Sequence, residues 1–525
     1  MPTRSLAALA LALAGGAHAQ ALPDHQRANA WFAEGVAAVE ARAADARSPA
    51  ASADARARSA ILFVGGGMDP TTLAAARILA GQRGGGTGEE HLLSFERFGH
   101  TALVRTYTVD AQVPDPAGAA GAMMTGVKSV AGTLGVDADA VRGDCASVAG
   151  NELASALELA ELRGLSTGLV TTARLTEATP AAAYASSADA RWESDADMPA
   201  EALAAGCTDA ASQLVAFAAS LRTRFAGARS DGLDVAMGGG RSRFLPVGTV
   251  DASGVGGARA DGRDLVAEWL AAHPDGLYLE DAAALDGLGA SRGPVLGLFA
   301  GSRLGYAEDP DRRAAEPTLA AMTGAAIERL SRDPDGYLLV VDSARIAHAH
   351  RAGNAFGALA ETIALAEAVA VAADATDPAE TLLLVTASHG STLSFGGYAR
   401  RGNPILGPVV PPRGFAPVRA ADGLAFTTLG YRDGPGFADR GAAGDPDARR
   451  ALDAAPGRRD LDGVDTAAPG FHQEALVPLP AASRGGADVT LHARGPSAAR
   501  VRGTIEQSVV FHLIDAALGL SGGAR

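Results

Sequence analysis

Basic charge, lysine, cysteine and long apolar runs are all scarce in this chain, and each shortage closes off a class of function. Against 60 acidic side chains there are 45 basic ones, Lys128 is the only lysine, and the formal net charge is −15. Nucleic-acid binding draws mainly on basic groups that neutralise phosphates, so no nucleic-acid partner is expected. No stretch beyond the first residues reads as the ~20 consecutive apolar residues that span a bilayer, so no membrane span is expected. The two cysteines, Cys145 and Cys207, allow one internal disulfide at most.

What is present is the composition of a large folded chain. At 525 residues, 47% hydrophobic and 20% charged, it is neither disordered nor fibrous, and it is long enough for a large core or more than one unit. Arg4 precedes the apolar run Leu6 to Ala14, and Ala17-His18-Ala19 stands before Gln20. That pattern predicts a secretory signal peptide over residues 1–19, the alternative being a buried N-terminal helix. Export to a periplasmic or extracellular location follows. In such a compartment Cys145 and Cys207 either bridge, closing a loop worth roughly 4 kcal/mol in the chain-entropy model, or remain two buried thiols; the bridge is preferred because an exported free thiol is a liability.

Residues 20–58 read as an Ala-rich helix or N-terminal arm, and 59–525 as the main domain. The continuous apolar runs Ser59–Val64, Thr167–Thr171, Tyr337–Val341 and Thr381–Thr386 have the character of buried strands. Helical patterns lie between them at Thr71–Ala80, Asn151–Leu162 and Gly357–Ala373. This alternation predicts an α/β fold with a mostly parallel sheet covered on both faces, whose chemistry sits at the carboxyl ends of the strands. From about 396 to 484 the texture turns to Pro, Gly, Asp and Arg, a loop-rich subdomain. The chain returns with a strand near Asp488–Leu491 and a closing helix near Gln507–Leu518.

At these strand ends the motifs Phe63-Val64-Gly65-Gly66-Gly67-Met68, Val113-Pro114-Asp115-Pro116-Ala117-Gly118 and Met123-Met124-Thr125-Gly126-Val127-Lys128 stand in order. They continue with Ala178-Thr179-Pro180, Gly238-Gly239-Gly240-Arg241, Arg345-Ile346-Ala347-His348-Ala349-His350, Thr386-Ala387-Ser388-His389 and Ala493-Arg494-Gly495-Pro496. In this set the chain resembles the bacterial and animal alkaline phosphatases from about residue 58 to 520. The resemblance implies their three-layer α/β sandwich, puts Cys145 and Cys207 where members carry a disulfide, and makes a homodimer an expectation. It also implies phosphomonoester hydrolysis by a serine nucleophile between two zinc ions, with magnesium nearby.

Position by position, that machinery is missing. The nucleophile position is Pro116, which has no hydroxyl, although Asp115 can still cap the helix that proline starts well. Zinc ligands are replaced at Gly66, Ala347, Arg351, Ser388 and Arg484, and the phosphate-gripping arginine falls at Ala190 with Arg191 one position on. Only Thr179, Asp342 and His389 remain of the metal ligands, while His348 and His350 match histidines that in members stand behind the ligands. An arginine cannot ligate a metal. No cofactor is expected, beyond at most a weak magnesium site.

The leading expectation is a secreted alkaline-phosphatase-like pseudoenzyme with a binding or interaction role, its partner either a phosphorylated or otherwise anionic small molecule, with Arg351, Arg484 and Arg191 as the anion-binding candidates, or an active relative. The alternatives are an active phosphatase with a rebuilt site and an inert scaffold whose arginines are neutralised by neighbouring carboxylates.

Overall fold

A run such as Ser59–Val64 cannot leave either face in water, because strands expose alternate residues to opposite sides. In the computed structural model all six of its residues are buried. The structure describes residues 22–45, 56–251, 254–290, 293–308, 315–437 and 458–522. The expected signal peptide, residues 1–19, lies outside the described residues, as do 46–55 of the arm and 438–457 of the loop-rich region.

The strands in chain order are β1 (Ser59–Val64), β2 (His100–Arg105), β3 (Ser166–Arg174), β4 (Val235–Gly239), β5 (Leu277–Leu279), β6 (Val295–Leu298), β7 (Tyr337–Asp342) and β8 (Thr381–Thr386), followed by Val489–Arg494 and Gly503–Glu506. Together they form one ten-stranded sheet. Across it the order is Gly503–Glu506, β2, Val489–Arg494, β8, β1, β7, β3, β4, β6, β5. Val489–Arg494 pairs antiparallel with β2 and β8, and the other pairings are parallel. The four expected strands are therefore the contiguous centre of the sheet, β8-β1-β7-β3. Their register sets Val64 beside Asp342 and Thr386, and Thr171 beside Asp342, so their carboxyl ends lie level.

Helices cover both faces. Leu319–Leu330 and Ala355–Ala375 pack on one; Pro116–Thr125, Ala156–Leu162 and Val509–Leu518 pack on the other. Ala355–Ala375 is long and apolar enough to cross a membrane by length and composition, a feature the sequence reading passed over. In the fold 67% of its apolar window is buried, as befits a helix wedged between the sheet and other helices. The described part of the arm is two helices, Asp24–Ala28 and Ala30–Asp45. Buried Gln26 donates to the Thr125 and Ala154 carbonyls at 2.7 and 3.0 Å, and Phe32 packs on Phe511 and His512. This segment is thus part of the core. Within the loop-rich region Leu393–Phe395, Leu429–Gly434 and Ala475–Pro478 make a small separate sheet.

Cys145 and Cys207 form a disulfide with their Cα atoms 5.9 Å apart. It closes a loop of 62 residues, so replacing both cysteines with serine is expected to lower stability by about 4 kcal/mol. Urea unfolding of the two forms measures this, and a loss below about 1 kcal/mol would mean that packing alone holds the loop.

Candidate functional site

The carboxyl ends of β1, β3, β7 and β8 open into one cleft of about 350 Å³. The turn after β1 supplies Gly66, the end of β7 Asp342, and the turn after β8 Ser388 and His389. Ala347 comes from the helix Arg345–Arg351, and Pro116 begins the helix Pro116–Thr125. A Cβ built on Gly66 would lie 3.2 Å from Ala347 Cβ, 3.4 Å from Ser388 Oγ and 3.8 Å from His389 Nε2, so these four positions meet around one small space. Arg484 reaches the same wall because Arg484–Gly485 pairs antiparallel with Gly390–Ser391, directly after His389.

Of the sequence-predicted positions, Gly66, Pro116, Thr179, Ala190, Arg191, Asp342, Ala347, Ser388, His389 and Arg484 all line this cleft. Arg351 is not among its lining. It ends its helix behind the wall, where its carbonyl accepts from the Ala482 amide at 2.8 Å and its charge acts on Arg484 and His389.

The helix start is already occupied by its own cap. The Asp115 carboxylate accepts from the amides of Ala117 and Gly118 at 3.1 and 3.0 Å, and Pro116 has no amide hydrogen to offer. Arg191 is also engaged: its Nε and Nη2 donate to the Asp189 carboxylate at 3.1 and 2.7 Å, and Arg142 donates to the same group at 3.3 Å. Arg484 differs. No ion pair to it falls within 4 Å among the described residues, and its buried Nε has no hydrogen-bond partner there. Burial and then Arg351 disfavour its charge, while Asp115 favours it.

Burial pushes the His389 imidazole down to about 3, with Arg484 adding to the shift, so the ring is neutral. Its Nδ1–H donates to the Gly390 carbonyl at 2.8 Å, which leaves Nε2 as an acceptor. That Nε2 and Ser388 Oγ are buried without partners among the described residues.

Asp342 is wholly buried at the end of β7. Its Oδ2 accepts from Thr171 Oγ1 at 2.7 Å, and its Oδ1 has no partner among the described residues. Burial pushes this carboxyl up to about 7. A carboxyl raised in the fold above its unfolded value of ~3.9 favours folding only while protonated, so this contribution is full below about pH 4 and disappears as pH rises towards 7. Asp342→Asn is therefore expected to raise the melting temperature at pH 8 by several degrees and to leave it nearly unchanged at pH 4. Equal shifts at both pH values would mean that the carboxyl ionises normally.

A network that the sequence reading missed also lines this cleft. Glu177 accepts from Arg303 Nη2 at 3.0 Å and lies 2.9 Å from His348 Nε2. Burial opposes its ionisation, but His348, Arg174 and Arg303 together hold the carboxyl well below its usual range. Arg174 in turn grips Glu193 through two hydrogen bonds of 2.6 and 2.7 Å. Glu177 stands one residue before the Ala178-Thr179-Pro180 motif, and that adjacency was the available signal. Two of its partners, Arg303 and His348, lie 126 and 171 residues away in sequence.

Among the described residues, no group of three or more His, Cys, Asp and Glu side chains lies in an arrangement that could hold a metal ion.

Comparison with known proteins bears on the fold and the family. The family model described as Alkaline phosphatase matches residues 57–520. Among curated relatives, the tissue-nonspecific isozyme of alkaline phosphatase from Gallus gallus is 39% identical over 466 residues, covering 87% of this chain and 83% of its own. The alkaline phosphatase of Gadus morhua is 37% identical over 465 residues, covering 87% of this chain and 91% of its own. Among solved structures, the alkaline phosphatase of Thermus thermophilus aligns with a TM-score of 0.61 at 24% identity, over 89% of this chain and 92% of that one. That of the Antarctic bacterium TAB5 gives 0.57 at 17% identity, over 89% and 99%. The last two likenesses concern the fold alone.

Proposed function

The chain belongs to the alkaline phosphatase family, and from that premise we propose that it is an exported member without phosphomonoesterase turnover, whose cleft keeps a weak site for a small anion. One observation carries this reading. Of Gly66, Ala347, Ser388 and His389, which meet around one space, only His389 supplies a zinc ligand of the His, Cys, Asp or Glu kind. Catalytic zinc takes three protein ligands and structural zinc four, so these residues do not fit a zinc pair, and no step is routed through one. Thr179 and Asp342 remain for at most a weak magnesium site. With Pro116 at the nucleophile position there is no hydroxyl to form a covalent phosphoenzyme.

What the cleft's own residues can do is bind. Arg484 brings a half-buried cation to a wall that elsewhere offers a neutral imidazole and a Ser388 hydroxyl with no partner among the described residues. A guanidinium in a partly dry site suits phosphate or carboxylate. The inert-scaffold reading has its own support, since Asp115 takes the helix-start amides and Asp189 takes Arg191 and Arg142.

Thermal unfolding in the presence of chelator separates the two. Inorganic phosphate is expected to raise the melting temperature of the wild type, by the equivalent of about 2.7 kcal/mol at 100 times its dissociation constant, and less as salt rises. Arg484→Ala is expected to abolish the shift. A flat response of the wild type across millimolar phosphate would retire the anion site and leave the inert scaffold.

A further inference from the structure

The second arm helix, Ala30–Asp45, is laid on the helix Val509–Leu518. What it covers there is His512. A Cβ built on Gly35 would fall 2.1 Å from His512 Cδ2, and one built on Gly126 would fall 2.9 Å from its Nε2. The imidazole is therefore held between two glycine backbones, one in the arm and one capping the end of Pro116–Thr125. Phe32 and Phe511 close its sides, with ring centroids 4.6 and 5.2 Å away. His512 is only 3% exposed.

Among the described residues, no opposite charge compensates that burial. Pro116–Thr125 and β1 carry no ionisable side chain. On the arm Asp24, His25, Glu34 and Glu40 are exposed, while Arg27 and Arg42 donate to the Leu22 and Ala38 carbonyls. On the other elements packed against Val509–Leu518, Glu158 pairs with Arg224, Glu506 with Lys128 and Arg105, and Glu161 accepts from Thr167 and Ser230. Asp515, on the same helix as His512, accepts from the Ser521 amide and hydroxyl at 2.7 Å. Burial accordingly pushes the imidazole down to about 4, against a smaller opposing pull from the Gly126 backbone.

We propose that the arm is an acid-released strap over the helix Val509–Leu518, with His512 as its latch. Lifting the strap returns the imidazole to water, where its ordinary value is ~6.5. A ring that takes up protons less readily under the arm than outside it favours the seated arm fully above about pH 6.5, and loses that support as pH falls towards 4. Between pH 8 and pH 5 the equilibrium moves towards the lifted arm by about 30-fold. Lifting also removes Gln26, which holds the Thr125 carbonyl at 2.7 Å, so the helix that begins at Pro116 in the cleft loses the brace on its far end. The strap does not depend on what the cleft binds.

Amide hydrogen exchange of the full chain, read by mass spectrometry on residues 30–40 and corrected for the intrinsic rate at each pH, tests this. The wild type is expected to lose about 30-fold of its protection there between pH 8 and pH 5, while β8 keeps its own. His512→Gln, which has no imidazole to protonate, is expected to lose less than about threefold. Gly35→Ala drives a methyl group into the ring from the arm's side and leaves the core residues unchanged, so it repeats the test should the glutamine variant fold poorly. That variant is expected to lose the arm's protection already at pH 8, with little further loss at pH 5. Equal wild-type protection at the two pH values would overturn the strap. So would a loss in His512→Gln as large as that of the wild type, or an arm still protected at pH 8 in Gly35→Ala.

Discussion

Pro116→Ser alone is expected to yield no phosphomonoesterase turnover above that of the wild type. The new hydroxyl would sit at a helix start whose Ala117 and Gly118 amides already serve Asp115. Around Gly66, Ala347 and Ser388 it would find no carboxylate to hold an activating metal. A serine hydroxyl is a weak nucleophile at neutral pH until a base or a metal lowers its pKa. The combined variant Gly66→Asp, Pro116→Ser, Ala347→Asp, Arg351→His, Ser388→Asp and Arg484→His is expected to gain chelator-sensitive turnover by several orders of magnitude. A side chain at Gly66 has room if Ala347 gives by a few tenths of an ångström, since its Cβ would lie 3.2 Å from the Ala347 Cβ. The added carboxylates would repel one another without metal, so the combined variant is also expected to melt lower in chelator than in zinc. Hydrolysis of p-nitrophenyl phosphate, followed with and without chelator, checks both variants. Metal-dependent turnover from the single substitution would mean that a working metal site already exists.

The second large effect concerns stability. The Arg259 side chain is completely buried and bonds Asp209 at 3.0 and 3.1 Å and Asp261 at 2.5 Å, with Asp195 3.7 Å away. The guanidinium thereby ties Asp195, three residues after Trp192, and Asp209 to the turn that carries Arg259 and Asp261. Removing one partner of a buried ion pair leaves the others as uncompensated charges, at a cost of about 3–5 kcal/mol. Arg259→Met, which keeps much of the volume, is expected to lose about as much stability as Arg259→Ala, because the unpaired carboxylates dominate over the cavity. Denaturant unfolding of both variants measures this. A loss confined to the alanine variant would assign the effect to packing instead.

How much could be read before the structure depended on where each signal lay along the chain. β1, β3, β7 and β8 were legible because buried parallel strands are continuous apolar runs, and their order of chemistry-bearing turns followed. β2 was not, because His100–Arg105 alternates buried and exposed residues near the sheet margin. β5 and β6 are only three and four residues long and carry too little pattern. β4 was visible only through the glycines at its end. The cleft positions were legible as motif positions. Their electrostatics were not, since ion pairs join residues remote in sequence. Glu177 could be judged only once Arg303 and His348 were beside it. Arg191 looked like a free cation until Asp189, two residues away, was seen to hold it. Arg351 and Arg484 looked equivalent, but a helix end set one behind the wall and a two-residue strand set the other in it.

The proposed function has this fold retained without its hydrolytic chemistry. The most direct measurement is hydrolysis of a generic phosphomonoester by the purified protein supplied with zinc and magnesium, alongside metal analysis of the same sample. No turnover above the protein-free rate is expected, and no zinc pair bound per chain. Turnover that chelator abolishes, with two zinc ions retained, would contradict it.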